Sequence, residues 1–352
     1  MAFDAVGLLE QMLRIPSVSG QEQDVAQYLV AQMQASGLHA YVDGAGNAVG
    51  ELGQGPEVVL LGHIDTVPGV VPVRIEDGML YGRGAVDAKG PFATFVSAAA
   101  RLAQGEPLPY KLVLVGAVEE EAATSKGAHH IVERHRPAAC VIGEPSGWDR
   151  LTLGYKGRIL ADARWEQGMA HSAGREAAVT ERAVAFWNDV AALCASFNAS
   201  RQRLFDQLLP SLRAINSGSD GLTDWATVVV GIRLPEDMPP PELAAKLTEL
   251  AGAGSIHFHD GCHAYQGEKN SPLVRAFLKG VRGAGGTPGF LLKTGTSDMN
   301  VVGPVWKCPI LAYGPGDSNL DHTPNEHVAV DEYLRAIDVL VAALRQLGTT
   351  LA

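Results

Sequence analysis

Val58-Val59-Leu60-Leu61-Gly62-His63-Ile64-Asp65 opens on four consecutive apolar residues and closes on an imidazole and a carboxylate. An unbroken apolar run, unlike an alternating one, reads as a strand buried on both faces, as in a parallel sheet covered by helices. Residues 112–118 and 138–142 repeat that texture. Between them, residues 88–103 and 125–136 carry apolar residues at helical spacing, and Pro137 ends the second run. Toward the N-terminus, residues 3–12 and 21–36 read as helices and residues 40–43 and 48–52 as short strands. Strand and helix in alternation predict an open, mostly parallel α/β sheet with helices on both faces. In such a sheet, ligands gather beyond the carboxyl ends of the strands.

The texture changes after about residue 152. Residues 159–165 alternate like a half-exposed strand, 175–196 form a long amphipathic helix, and 227–233, 241–251 and 255–259 read strand, helix, strand. That is the pattern of an inserted α+β domain with helices on one face of an antiparallel sheet, placed at 152–267. Two-faced α/β texture returns with a helix at 271–284, a strand at 309–313 and a helix at 330–347. The main domain is therefore expected to be discontinuous, at 1–151 and 268–352.

Composition bounds the function. The chain has 352 residues, 46% of them hydrophobic, and 28 Lys plus Arg against 39 Asp plus Glu leave a formal net charge of −11. A globular chain this acidic, without a long basic run, is not expected to bind nucleic acid. No apolar stretch approaches the ~18 residues of a membrane span, and residues 1–10 have no basic segment of a signal peptide. Cys140, Cys194, Cys262 and Cys308 form no C-x-x-C pair, which suits reduced thiols in the cytoplasm.

The chemistry collects at predicted strand ends. His63 and Asp65 follow the first buried strand, Asp87 sits in Gly82-Arg83-Gly84-Ala85-Val86-Asp87-Ala88-Lys89-Gly90, and Glu119-Glu120-Glu121 follows 112–118. Gly143-Glu144-Pro145-Ser146 follows 138–142, and Asp321-His322-Thr323-Pro324 follows 309–313. Each alone has an ordinary reading as a turn, a helix start or a surface histidine. Together they put two imidazoles and several carboxylates on one sheet edge, where the carboxylates would repel one another unless divalent cations joined them. Two His and three carboxylates suit a pair of zinc-like ions with one shared carboxylate. A metal-free binding protein on the same scaffold is the alternative outside enzymes.

In order and spacing these motifs resemble the M20 metallopeptidase family of two-zinc amidohydrolases, which includes acetylornithine deacetylase and succinyl-diaminopimelate desuccinylase. The resemblance implies that His63 and Glu144 hold one Zn2+, that Glu121 and His322 hold the other, and that Asp87 bridges them, with Co2+ as a substitute. It implies that Asp65 orients the other nitrogen of His63 and that Glu120 moves the proton from water to the leaving amine. The family shows Asp-Glu-Glu where this chain has Glu-Glu-Glu, so a base and ligand pair of Glu119 and Glu120 stays open. The inserted domain would be a ferredoxin-like lid through which a homodimer forms, and His171, in Met169-Ala170-His171-Ser172-Ala173, would reach the scissile carbonyl oxygen of the partner. Arg233 matches a carboxylate-binding arginine, with a lid salt bridge as the other reading.

Two glycine-rich stretches, with Lys293, Thr294 and Gly295 in one and Gly314 and Gly316 in the other, are expected to shape the substrate pocket. Their N–H groups could cradle a carboxylate, or the glycines could serve turn geometry alone. Within the family, Lys293-Thr294-Gly295-Thr296-Ser297-Asp298-Met299-Asn300 looks most like the hydrolases that release lysine, and in some cases ornithine, from the γ-glutamyl C-terminus of an amino-group carrier protein, in lysine synthesis through α-aminoadipate and in arginine synthesis. Deacetylases of acetylornithine or acetyl-lysine and desuccinylases would share every catalytic residue. A carrier that is itself small and acidic would need a local basic patch, for which Arg201, Arg203 and Arg213 are candidates. His129, His130, His135, His257, His259 and His263 are expected to lie outside the site.

Overall fold

The computed structural model describes residues 3–169 and 177–351. The chain divides into two compact units, residues 1–154 with 266–292 and 297–352, and residues 155–265 with 293–296.

The first unit is built on a nine-stranded sheet. At its centre Glu57–His63 pairs in parallel with Lys111–Ala117 on one side and Ala139–Gly143 on the other. Ile310–Ala312 continues the parallel run beside Ala139–Gly143. Val58, Val59, Leu60 and Leu61 are fully buried, as the unbroken apolar run requires. Each such side chain contributes about 1.5–3 kcal/mol relative to exposure. The flanks are antiparallel: Ala48–Leu52 on Lys111–Ala117, His39–Val42 outside it, and Arg150–Tyr155 beyond Ile310–Ala312. The helices Ala5–Arg14, Lys89–Ala103, Val330–Leu351 and Pro272–Gly283 pack successively on one another, and Lys126–Val132 packs on Met299–Trp306. The helix at Met299–Trp306 has no sequence expectation behind it, because Gly303 and Pro304 interrupt the apolar spacing.

The second unit runs strand, helix, strand, strand, helix, strand, the ferredoxin-like order. Its antiparallel sheet orders Leu209–Ser219, Thr223–Leu234, Gly157–Gly168 and Ser255–Cys262. Ile159, Ala161, Ala163 and Trp165 alternate into its core against Phe186, Val190, Leu243 and Leu247 of the helices Val179–Asn198 and Pro240–Ala251. The strand Leu209–Ser219 was not expected. It is an edge strand, largely solvent-facing, so no buried face marks its sequence. The expected helix 175–196 begins at Val179 among the described residues.

Candidate metal centre

Three neighbouring parallel strands deliver their ends to one place. His63 is the last residue of Glu57–His63, and Glu119-Glu120-Glu121 begins two residues past Lys111–Ala117. Glu144 follows Ala139–Gly143 directly. Asp87 immediately precedes the Ala88 cap of Lys89–Ala103, and His322 lies between Ile310–Ala312 and His327–Ala329.

Asp87 stands at the middle of the group. Its Oδ1 is 3.1 Å from His63 Nε2, and its Oδ2 is 3.0 Å from His322 Nε2. Glu121 Oε1 lies 2.9 Å from His322 Nε2. On the other side, Glu144 Oε1 and Glu120 Oε2 are each 3.9 Å from His63 Nε2. Each imidazole therefore shares one carboxylate with the other and has a carboxylate of its own side.

The acidic triplet is held by Asp65 beneath it. The buried Asp65 carboxylate accepts the N–H of Glu120 at 3.1 Å, the N–H of Glu121 at 3.0 Å and the Ser19 hydroxyl at 2.7 Å. His63 Nδ1 faces the Asp65 backbone carbonyl at 3.1 Å, with the carboxylate oxygen at 3.4 Å. His63 Nδ1 thus faces both the main-chain oxygen and the carboxylate of Asp65, and that same carboxylate anchors the triplet. Glu119 turns away, accepting from the Thr124 hydroxyl at 2.8 Å and pairing with Lys126 at 3.3 Å. Glu119 and His322 both have left-handed backbone, with φ of 58° and 61°. Non-glycine residues hold that conformation at a cost of about 1–3 kcal/mol, and such residues cluster at functional sites.

The electrostatics follow from the geometry. Burial opposes protonation of His63, but Asp65, Asp87 and Glu120 outweigh it and hold its pKa well above the ordinary value. Hydrogen bonds to Asp87 and Glu121 raise His322 to about 10. Burial works to raise Asp87, yet the two imidazoles hold it well below the usual carboxylate range. Glu120 goes the other way: burial, with Glu144, Asp298 and Glu121 nearby, raises it well above the ordinary value against the pull of His63.

This donor set fits metal ions. Two donors on one tetrahedral zinc, with bonds of about 2.0–2.2 Å, stand about 3.3–3.6 Å apart. The Asp87–His63, Asp87–His322 and Glu121–His322 separations of 3.1, 3.0 and 2.9 Å lie a few tenths of an ångström below that range, so a small spreading of these side chains admits an ion. His63, Asp87 and Glu121 each offer a ligand atom within 4.8 Å of the others. Carboxylates that bind the protons of two imidazoles so strongly also favour a cation in the protons' place.

Two residues near this group were missed by sequence reasoning. Asp298 caps the helix Met299–Trp306 and is 2% exposed, and neither of its carboxyl oxygens has a hydrogen-bond partner among the described residues. Burial raises its pKa to about 7. Lys89 is buried too, its ammonium donating to the Met12 and Ile15 carbonyls at 3.0 and 2.8 Å, and burial lowers its pKa to about 7. Both lie inside stretches singled out for their glycines and acids, but burial without partners is not a property of a short motif.

The glycines 314 and 316 serve close packing. A Cβ on Gly314 would lie 2.6 Å from Pro91 Cβ, and one on Gly316 would lie 2.9 Å from Val86 Cγ1. The Gly316 N–H is donated to Glu332, which removes it from a carboxylate cradle. Gly295 differs, with open space where a Cβ would stand. It follows Lys293 and Thr294 at the end of the strand Gly289–Lys293.

In the second unit, Arg233 and Arg158 are directly opposed in register. Arg213 lies over Gly231, where a Cβ would be 3.2 Å from its Cδ. Arg233 donates to the Thr296 hydroxyl at 3.3 Å. Burial, then Arg158 and Arg213, lower its pKa. Among the described residues no carboxylate pairs with Arg158, Arg213 or Arg233, so the lid salt bridge is not seen. The expected patch of Arg201, Arg203 and Arg213 is corrected on this point. Arg201 forms two hydrogen bonds to Asp237, and Arg203 two to Asp206, so both are neutralised within the unit. His171 lies outside the described residues. Of the remaining histidines, His130 faces Asp43, His135 faces Glu57, and His257 stacks on His259.

Comparison with known proteins agrees with this geometry. A model described as peptidase family M20/M25/M40 matches residues 59–346. A Deinococcus radiodurans protein named LysW-lysine hydrolase is 45% identical over 347 residues, covering 97% of this chain and 96% of that protein. Among solved structures, an M20 family metallo-carboxypeptidase from Sulfolobus solfataricus superposes with a TM-score of 0.79 at 18% identity, over 99% of this chain and 100% of that one. A Bacillus subtilis protein described as a dinuclear metal binding peptidase from the M20 family gives 0.73 at 12% identity, over 97% and 96%.

Proposed function

The chain belongs to peptidase family M20/M25/M40, and from that premise we propose that it is a two-metal amidohydrolase that releases lysine, and also ornithine, from the γ-glutamyl C-terminus of an amino-group carrier protein. The observation that carries the reading is the Asp87 carboxylate, which offers one oxygen to His63 and the other to His322. His63 and Glu144 would hold one ion, Glu121 and His322 the other, with Asp87 common to both. Zn2+ suits this mixture of imidazole and carboxylate, and Co2+ would substitute. Bound there, such ions supply Lewis acidity, polarising the scissile carbonyl and making a water acidic near neutral pH.

The chain's own residues do the rest. Glu120, buried beside His63, takes the proton of the attacking water and hands it to the leaving amine, so that water and amide become carboxylic acid and free amine. The raised proton affinity of Glu120 suits this transfer, because a base and acid works best near the operating pH. Asp65 holds the Glu120–Glu121 backbone and so fixes where both carboxylates point. The register in which Glu120 is the base and Glu121 the ligand is supported by the contact of Glu121 with His322 and by the outward turn of Glu119.

The relative at 45% identity supports the carrier-linked substrate. Arg158, Arg213 and Arg233 would receive carboxylates of the carrier's C-terminal end, with Lys293, Thr294 and Gly295 beside that path and His171 supplying an imidazole to the scissile oxygen. A homodimer through the second unit is supported by its edge strand Leu209–Ser219, which carries exposed Leu212 and Ile215. No described helix is long and apolar enough to cross a membrane, and the assignment to lysine synthesis implies a cytoplasmic setting.

A hydrolysis panel with and without chelator tests the reading. It compares carrier-linked lysine and ornithine with N-acetyl-lysine, N-acetylornithine and succinyl-diaminopimelate. Chelator-sensitive release from the carrier, well above every other rate, is expected. Faster turnover of an acetylated or succinylated amine would overturn the substrate assignment.

A further inference from the structure

Glu326 lies four residues beyond His322 and is fully buried. A buried carboxylate costs several kcal/mol unless it is paired and hydrogen-bonded. Glu326 is satisfied entirely by the loop that carries Asp87. Its Oε1 accepts three main-chain N–H groups, from Gly84 and Val86 at 3.0 Å and from Asp87 itself at 3.1 Å. Its Oε2 takes the Arg83 guanidinium at 2.8 Å, and its backbone carbonyl accepts the Gly82 N–H at 3.2 Å. Successive N–H groups converging on one point form an anion nest. Here the anion is a side chain of the same protein.

The setting makes this a rigid link. Glu326 directly precedes the strand His327–Ala329, and Gly82 directly follows Met79–Tyr81, and these two strands pair with His327 opposite Tyr81. The segment bearing His322 and the loop bearing Asp87 are thereby joined twice, by a strand pair and by the nest.

We propose that Glu326 is a positioning residue for the metal centre, setting the Asp87 backbone so that the carboxylate faces both imidazoles before any ion arrives. This rests on the reading of Asp87 as the shared ligand. The Asp87 N–H is itself one of the three donors, so a shift of the nest moves the ligand directly. Groups that orient a ligand in this way typically change metal affinity 10–100-fold when altered.

The test separates reach from charge by chelator-competition titration of Zn2+, with no substrate present. Glu326→Gln keeps an oxygen at the same reach and loses the charge. Glu326→Asp keeps the charge and withdraws the oxygens by one methylene. Positioning through the nest predicts that Gln binds both ions within about 5-fold of wild type, whereas Asp weakens at least one by about 10- to 100-fold. Arg83→Ala, which spares the three N–H contacts, should cost less than Glu326→Asp. Gln binding as weakly as Asp or more weakly, Asp binding like wild type, or Arg83→Ala costing as much as Glu326→Asp would each overturn the proposal. Wild-type protein that takes up no metal would instead overturn the functional reading.

Discussion

Glu121 and His322 stand 201 positions apart in the chain and 2.9 Å apart in space. Their contact separates the two carboxylates that the sequence leaves interchangeable. Glu121→Gln should weaken binding of one ion by more than about 10-fold, seen as loss of one equivalent of metal in dialysed protein. Glu120→Gln should leave both equivalents in place and lower kcat by about 100- to 10,000-fold, the usual worth of a general base and acid. Loss of a metal equivalent from Glu120→Gln, with Glu121→Gln harmless and kcat lost in Glu119→Gln instead, would move the base to Glu119.

Asp298 predicts an unusual pH dependence of stability. Its folded pKa of about 7 lies above the ordinary 3.8, so the folded state binds its proton more tightly than the unfolded state does. Stability is therefore fully present below about pH 4 and declines as the pH rises toward 7, the opposite of a salt-bridged aspartate. Asp298→Asn removes that slope. In chelator-treated protein the variant should exceed wild type at pH 8 by up to about 4 kcal/mol, from roughly three pKa units, and match it near pH 4. Denaturant midpoints at the two pH values measure this, and parallel profiles would refute it.

The arginines divide by partner. Arg213→Glu and Arg158→Glu should raise KM for carrier-linked lysine by about 10-fold or more, with a weaker effect at high salt, and leave N-acetyl-lysine hydrolysis nearly unchanged. Arg203→Gln should do neither, because Asp206 already takes its charge at the surface. Equal KM effects on both substrates would remove the docking role.

Metal should also act on the fold. An ion present at 100 times its dissociation constant adds about 2.7 kcal/mol to the folded state. Returning Zn2+ to chelator-treated protein should therefore raise the melting temperature by several degrees, and Glu121→Gln should lose a large part of that gain. A melting curve indifferent to chelator would contradict a centre built from these residues.

What could be read in advance follows from the range of each interaction. Val58 to Leu61 reads as buried strand because its burial is uniform and local, and the acidic and histidine residues at strand ends stand out because the sheet collects those ends. The contact of Asp65 with the Glu120 and Glu121 N–H groups leaves no trace in composition, since it depends on how one turn folds over another. Glu326 is likewise one acid among many until the loop around Asp87 closes on it. Leu209–Ser219 shows the reverse failure, a real strand without a buried face to announce it. Arg201 and Arg203 looked free in sequence only because their acidic partners, Asp237 and Asp206, are brought to them by folding or by a short turn.

The strand Ile310–Ala312 lies between Ala139–Gly143 and Arg150–Tyr155, both made far earlier in the chain. During synthesis the ribosome releases His63, Asp87, Glu121 and Glu144 and then about 180 more residues before His322, an interval of about 10–35 s at 5–20 residues per second. Through that time the strand that joins Arg150–Tyr155 to the rest of the sheet is missing, and so is one of the two imidazoles of the centre. Hydrolytic power is thus withheld from every unfinished molecule, and a message cut short before Asp321 would yield protein lacking His322, the Glu326 nest and the helix Val330–Leu351 together.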